Sequence, residues 1–289
     1  MKSPKMKRLK MKSPQMHNQV RIIRFNVIHR LFHLFIMVTF LIQALTGLGR
    51  LLYTTPWGKA LTNFFGGLES VTAIHSRVGV IMLLGFGVHI AYVLMKVEWK
   101  SLRQSIFHPD SLIPGPQDAI HLGQKIRWFF GLGPPPAFDR WTYWEKFDYW
   151  AIFWGMPLLG ITGLLLMYPL VTSSFLPGWT LNVTLLLHRA EALLAMLYIF
   201  IIHFTVGHLR HGTFPMNECM FAGSVELEEL QHEKPLWIVR LKEEGKLEKA
   251  MVPAPPAWFR VVYFIFGLTA LGTGLYLLSI ILIYHKYVG

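Results

Sequence analysis

The sequence predicts an all-α membrane protein of five transmembrane helices, four forming a bundle and the fifth a C-terminal addition. Three observations carry that prediction. Of 289 residues, 53% are hydrophobic and only 15% charged, with mean hydropathy +0.40; an ordinary soluble domain carries about 25% charged residues. The apolar residues come in long continuous blocks with no period of two, which implies helices and not strands. The single cysteine, Cys219, excludes a disulfide framework, a Cys-x-x-Cys-His haem attachment and any four-thiolate iron–sulfur or zinc site.

Five blocks reach the roughly 20 residues needed to cross about 30 Å of hydrocarbon. They are residues 31–53, 71–95, 149–171, 183–207 and 259–284. The first is too long for a cleavable signal peptide, and no small-residue cleavage site follows it. The chain then divides into a basic tail (1–24), a four-helix bundle (25–223) with a long connection at 96–148, a charged loop (224–258), and the fifth helix with its terminus (259–289). Residues 108–139, with Pro109, Pro114, Pro116, Pro134, Pro135 and Pro136, read as mostly irregular. Residues 224–249 alternate charge and read as one or two short surface helices. The length of these two connections suits them to docking a partner.

The net charge of +12 comes from 28 Lys and Arg against 16 Asp and Glu. Nine of the cations lie in the tail and first-helix entry (Lys2, Lys5, Lys7, Arg8, Lys10, Lys12, Arg21, Arg24, Arg30), seven in 96–148 and seven in 208–260. Only Arg50, Lys59, Arg77, Arg189 and Lys286 fall on the other side. The positive-inside rule then puts the N-terminus in the cytoplasm and the C-terminus outside. The charge is topological and implies no nucleic-acid partner, although the lysine run of the tail also suits anionic lipid.

Ionisable groups inside spans are costly and mark functional sites. The second span holds His75 and His89, the fourth His188 and His203, separated by 14 and 15 residues. At 1.5 Å per residue those separations are about 21 and 22 Å, and at about 100° per residue both members of a pair point nearly the same way. Both spans run from outside to inside. His75 and His188 therefore share an outer depth, and His89 and His203 an inner one. Two imidazoles at one depth on facing helices make an axial pair for a haem iron held without covalent attachment. The fold class thus sharpens to a four-helix haem-binding bundle with two haem b sites. Gly79, Gly85, Gly87, Ala190, Ala192 and Ala195 offer room beside them. Zinc or copper fits poorly, with the pairs far apart and no thiolate or carboxylate adjoining them.

His33, in the first span, has three readings: an alternative inner ligand replacing His89, part of a quinone pocket, or an interfacial residue. His208 and His211 sit just past the fourth span, where they serve quinone or proton transfer or are simply solvated. Arg77 and Arg189 beside the outer histidines suit haem propionates, or snorkel to the interface. Glu191 is a carboxylate within a span that pairs with one of those arginines or handles protons.

Helices 1–2 and 3–4 form a weak repeat. ALTGL at 44–48 matches GITGL at 160–164, an offset of 116, and the histidines repeat at 113 and 114. At offset 116, His29 and His33 correspond to Glu145 and Tyr149. Arg30, His33 and TGL in helix 1, YWEKFDYWAIFWG…GITGL in helix 3 and HRAEALLAMLYIFIIHF…HLRHGTFPMN in helix 4 together resemble a bacterial family. It comprises the diheme cytochrome b membrane subunits of formate dehydrogenases, nickel–iron hydrogenases and thiosulfate reductases, and the nearest likeness is to the branch that partners multihaem cytochromes c. The resemblance covers about residues 21–223. The 14/15 histidine spacing is also similar to the haem helices of the cytochrome b of quinol–cytochrome c oxidoreductases.

That resemblance implies an electron-transfer subunit of the bacterial inner membrane, exchanging electrons between quinone (menaquinone or ubiquinone) and a periplasmic multihaem cytochrome c or iron–sulfur subunit. It implies a quinone site near His33, His203 and His208. Some formate dehydrogenase subunits take the inner ligand from helix 1 and lack an equivalent of His89, so this chain holds both candidates. Two rivals are a self-contained transmembrane diheme reductase and a non-redox membrane anchor.

Overall fold

The computed structural model describes residues 20–210 and 213–287. The tail cations from Lys2 to Lys12, with His17 and His211, lie outside the described residues. Strand β1 (Arg21–Ile23) leads into α1 (Val27–Leu51), followed by the short α2 (Pro56–Phe64) and the long α3 (Leu68–Lys96). Next come α4 (Leu102–Phe107), α5 (Pro116–Phe129), α6 (Tyr143–Met167) and α7 (Pro169–Phe175). Helix α8 (Trp179–Gly207) contains a π-helical turn at Tyr198–His203. After it lie α9 (Cys219–Ala222), β2 (Ser224–Glu226), α10 (Leu227–Glu233), α11 (Pro235–Glu243), β3 (Met251–Val252) and α12 (Ala257–Ile283).

Helices α1, α3, α6, α8 and α12 are long and apolar enough to span a membrane. The protein is an all-α membrane protein, with five such spans among the described residues. Their bounds differ from the hydropathy blocks where local chemistry intervenes. Helix α1 starts at Val27 because Asn26 caps it, its side chain accepting from His29 N at 2.9 Å. Helix α6 starts at Tyr143 behind a Thr142/Glu145 capping box. It stops at Met167 and not 171, because Pro169 disfavours a helical Tyr168, whose φ and ψ are −123° and 62°.

The spans pack as the repeat requires: α1 on α3, α6 on α8, and α3 against α6. Helix α12 lies on α1 and on the π turn of α8. Gly274 gives room there to the rings of Phe200 and Phe204, in a core shared with Ala44, Leu48, Met196, Tyr263 and Leu277.

The N-terminal side carries a folded cap that hydropathy did not reveal. Strands pair antiparallel in the order β2-β1-β3. Arg21 and Arg24, read above as tail cations, are buried in it, and the boundary placed at 223/224 falls within it. Arg21 reaches Ser224 Oγ at 3.1 Å and its carbonyl at 2.7 Å, and pairs with Glu218 at 2.6 Å. Glu145 accepts from Arg24 at 2.5 Å and from Lys234 at 2.6 Å; these two cations are 6% and 1% exposed. Burial, with Arg24 close by, pushes the Lys234 ammonium down to about 8.

Ile22, Cys219, Val225, Leu230, Trp237, Ile238 and Leu241 form the cap's apolar core. Burial pushes the Cys219 thiol up to about 11. Helices α10 and α11 are therefore half-embedded, because Leu230, Trp237 and Ile238 face this core. Residues 108–139 are mostly irregular, as expected, although α5 fills fourteen of the thirty-two. Pro116 occupies its first turn, where a missing N–H costs nothing.

Candidate functional site

The repeated TGL motif builds the outer site. Thr46 donates its hydroxyl to Ile42 O at 2.7 Å, so its oxygen accepts from His75 Nδ1, 2.9 Å away. Thr162 does the same in the second copy, donating to Leu158 O at 2.6 Å and standing 2.9 Å from His188 Nδ1. In both rings the proton sits on Nδ1 and the lone pair on Nε2. The motif glycines matter as well: a Cβ on Gly47 or Gly163 would lie 3.3 or 3.4 Å from Cε1 of His75 or His188. Gln43 adds a bond from Nε2 to His75 O at 2.8 Å.

His75 and His188 face each other with ring centroids 6.3 Å apart and planes at 79°. An imidazole–metal bond of about 2 Å, with the ring centre about 1.1 Å behind the nitrogen, separates two axial rings by about 6.2 Å. The centroid spacing of the pair matches that separation. Among the described residues no group of three or more His, Cys, Asp or Glu forms a metal-ion cluster. A two-donor set suits a metal whose other positions a macrocycle fills.

Arg50 and Arg189 lie at this site, within electrostatic reach of each other, and Arg50 also of both histidines. Arg77, two residues past His75, points about 200° away and lines an exposed groove with Leu68, Glu69, Thr72 and Met167. The sequence reading missed Arg50, although its position four residues after Thr46 puts it on the same helical face. Glu191 makes no ion pair with Arg77 or Arg189 among the described residues; its carboxylate lies against Gly155 of α6.

At the inner level the histidines regroup. His33 lies within electrostatic reach of His203 and His208, whose rings stand 5.6 Å apart at 77°. Asp148 holds His203, with Oδ2 3.3 Å from Nδ1, while Tyr198 donates to its other oxygen. That carboxylate fixes the proton on Nδ1 and leaves Nε2 free. Asn217 N donates to His208 Nδ1 at 3.2 Å, so the His208 proton sits on Nε2. Burial, with His203 adjacent, lowers the His208 pKa to about 4. Asp148 was missed as well; it stands immediately before the third apolar block, and only the observed start of α6 at Tyr143 brings it into the span.

His89 is elsewhere. Its Nε2 is 3.1 Å from Tyr149 OH, its ring packs on Phe32 at 4.7 Å, and its Nδ1 is buried without a partner. Its ring neighbours are Phe32, Tyr149 and Phe153, whereas those of His203 are Phe204 and His208. In the repeat Tyr149 is the counterpart of His33, and His89 that of His203. The two groupings, His33 with His203 and Tyr149 with His89, are mates across the repeat, one having lost its helix-entry histidine.

The π turn explains why His188 and His203 are 15 residues apart while His75 and His89 are 14. A π turn absorbs one extra residue, returning His203 to the bearing a 14-residue separation would give. Of the glycines read as cofactor room, Gly79 admits the Gln43 amide and Gly85 the Phe35 ring, whereas Gly87 faces open space.

No protein-family model matches this chain, and no curated protein matches it.

Proposed function

We propose that the chain is the membrane electron-transfer subunit of a respiratory complex, holding two b-type haems through histidine alone. The observation that carries this reading is the facing pair His75 and His188, with Nδ1 of each ring tied to a motif threonine. Haem bound there supplies a reversible one-electron carrier, its potential tuned by ligands, burial and hydrogen bonds. Thr46 and Thr162 orient the two ligand rings, Gly47 and Gly163 let the rings lie against the helix backbone, and Arg50 with Arg189 receive propionates.

For the inner haem, His33 with His203 is favoured over His89 with His203. Asp148 leaves His203 Nε2 free, and His33 lies within electrostatic reach of that ring, whereas His89 is engaged by Tyr149. His208 cannot offer Nδ1, which Asn217 occupies. Its Nε2–H instead suits a ring oxygen of menaquinone or ubiquinone.

The charge bias supports a cytoplasmic position for this inner site and a periplasmic one for the outer pair, in the bacterial inner membrane that the resemblance implies. A periplasmic multihaem cytochrome c or iron–sulfur subunit is the corresponding partner. The motifs in helices 1, 3 and 4 support the likeness to diheme cytochrome b subunits.

The test is a reduced-minus-oxidised spectrum of the purified protein with haem quantitation. Two haems with bis-histidine Soret and α bands support the proposal, and a colourless protein expressed with ample haem overturns it. Stable co-purification with a cytochrome c or iron–sulfur subunit separates it from a self-contained reductase.

A further inference from the structure

Helix α5 presents an exposed apolar stripe. At about 100° per residue, Leu122, Ile126 and Phe129 fall on one stripe, and they are 46%, 51% and 77% exposed. Phe130 and Leu132, also exposed, extend it past the helix end. The helix is fixed to the protein along one edge of this stripe: Asp118, one turn before Leu122, pairs with Lys146 at 2.9 Å, and buried His121 packs edge-on to Phe138 at 5.1 Å. Lys125 flanks the stripe on one side, its ammonium 3.8 Å above the Trp128 ring, and Arg127 flanks it on the other.

A second contact fixes the chain that enters α5. Trp150, seven residues into α6, donates its Nε1 to Leu112 O at 3.0 Å. Seven residues of helix are about 10 Å, so the chain entering α5 runs beside the first turns of a span. The span's own surface is exposed and aromatic there, at Phe147, Trp150 and Trp154. The entry to α5 thus lies beside an exposed aromatic surface of a span.

We propose that α5 is an interfacial helix, its Leu122–Ile126–Phe129 face seated in the headgroup region of the leaflet on the N-terminal side. An apolar stripe flanked by cations and tryptophan is the chemistry such a boundary selects. Lys125 and Arg127 favour anionic headgroups. The occupant is the bilayer in which the chain itself stands, independently of any haem.

The experiment uses the full chain in phosphatidylcholine vesicles with and without phosphatidylglycerol. Cys219, the one cysteine, is buried and leaves engineered thiols free for selective labelling. Ile126→Cys and Gln124→Cys, about 200° apart around the helix, each receive an environment-sensitive fluorophore. Nitroxide-bearing lipid is expected to quench the label at 126 several-fold more than that at 124, and aqueous iodide the reverse, with the contrast larger when phosphatidylglycerol is present. Equal iodide quenching at both sites overturns the proposal. So does shielding of 126 from both quenchers that disappears on diluting protein in lipid, which would make a second copy the occupant. Should Ile126→Cys fail to fold, Leu132→Cys reports the same face from beyond the helix.

Discussion

Thr46 Oγ1 stands 2.9 Å from His75 Nδ1, and because that hydroxyl already donates to Ile42 O, it dictates which nitrogen of the ring is free. Thr162 and His188 reproduce the relationship. Replacing either threonine by valine keeps the shape and removes the acceptor. Partners of this kind are worth about 10- to 100-fold in metal affinity. Thr46→Val and Thr162→Val are each expected to weaken outer haem retention by that order, measured by haem transfer to apomyoglobin. Unchanged retention and an unchanged midpoint potential would remove the threonines from the site.

His33→Ala is expected to lower the haem-to-protein ratio by one, and His89→Ala to leave it intact. The pyridine haemochrome assay reads both. The opposite outcome would return His89 to the ligand set and make its Tyr149 contact one that haem binding replaces.

The π turn in α8 makes a prediction about length. Deleting Ile201, half-exposed on that turn, converts it to regular α-helix and sets the His188–His203 separation to 14. Both haems are then expected to be retained. Loss of the inner haem in this variant, with the outer one kept, would show that the turn does more than restore register.

Glu145 binds two buried cations, Arg24 and Lys234. Glu145→Gln leaves both charges without a counter-ion, and breaking a buried pair costs about 3–5 kcal/mol. Thermal unfolding in detergent should show a large destabilisation with the outer-haem spectrum unaltered below the transition. A negligible shift would mean that water reaches the cations and screens them.

Glu229 gives the cap a pH dependence of definite sign. Burial and the carboxylates of Glu233 and Glu226 push its pKa up to about 7 from 4.5, against the pull of Arg21 and Arg210. The folded state holds a proton there that the unfolded chain releases, so this contribution is complete below pH about 4.5 and lost as pH rises through about 7. Glu229→Gln is expected to flatten stability across that window and to stabilise the protein at pH 8. A variant whose pH profile matches the parent's would refute the assignment.

The composition and block lengths carried the five spans, because a helix that must satisfy its own backbone in lipid needs only length and apolarity, both local properties. The outer histidines were legible for the same reason: two residues on one helical face at one depth follow from counting. The TGL motif was visible as a repeat, yet its hydrogen bonds to the histidines were not. Those bonds join residues 29 and 26 positions apart, and sequence fixes no distance between helices.

What the sequence determined by itself was the membrane architecture, the repeat and the depth of each histidine. Tertiary structure alone decided partners. It set Arg50 and not Arg77 beside the outer pair, gathered His33 with His203 and His208, gave His89 to Tyr149, and buried Arg21, Arg24 and Lys234 in a cap that had read as tail and loop. The physical reason is shared by all of these. Depth along a helix is fixed by a constant rise per residue, but azimuth between helices depends on packing angles and on one inserted residue at a π turn, which only the assembled bundle specifies.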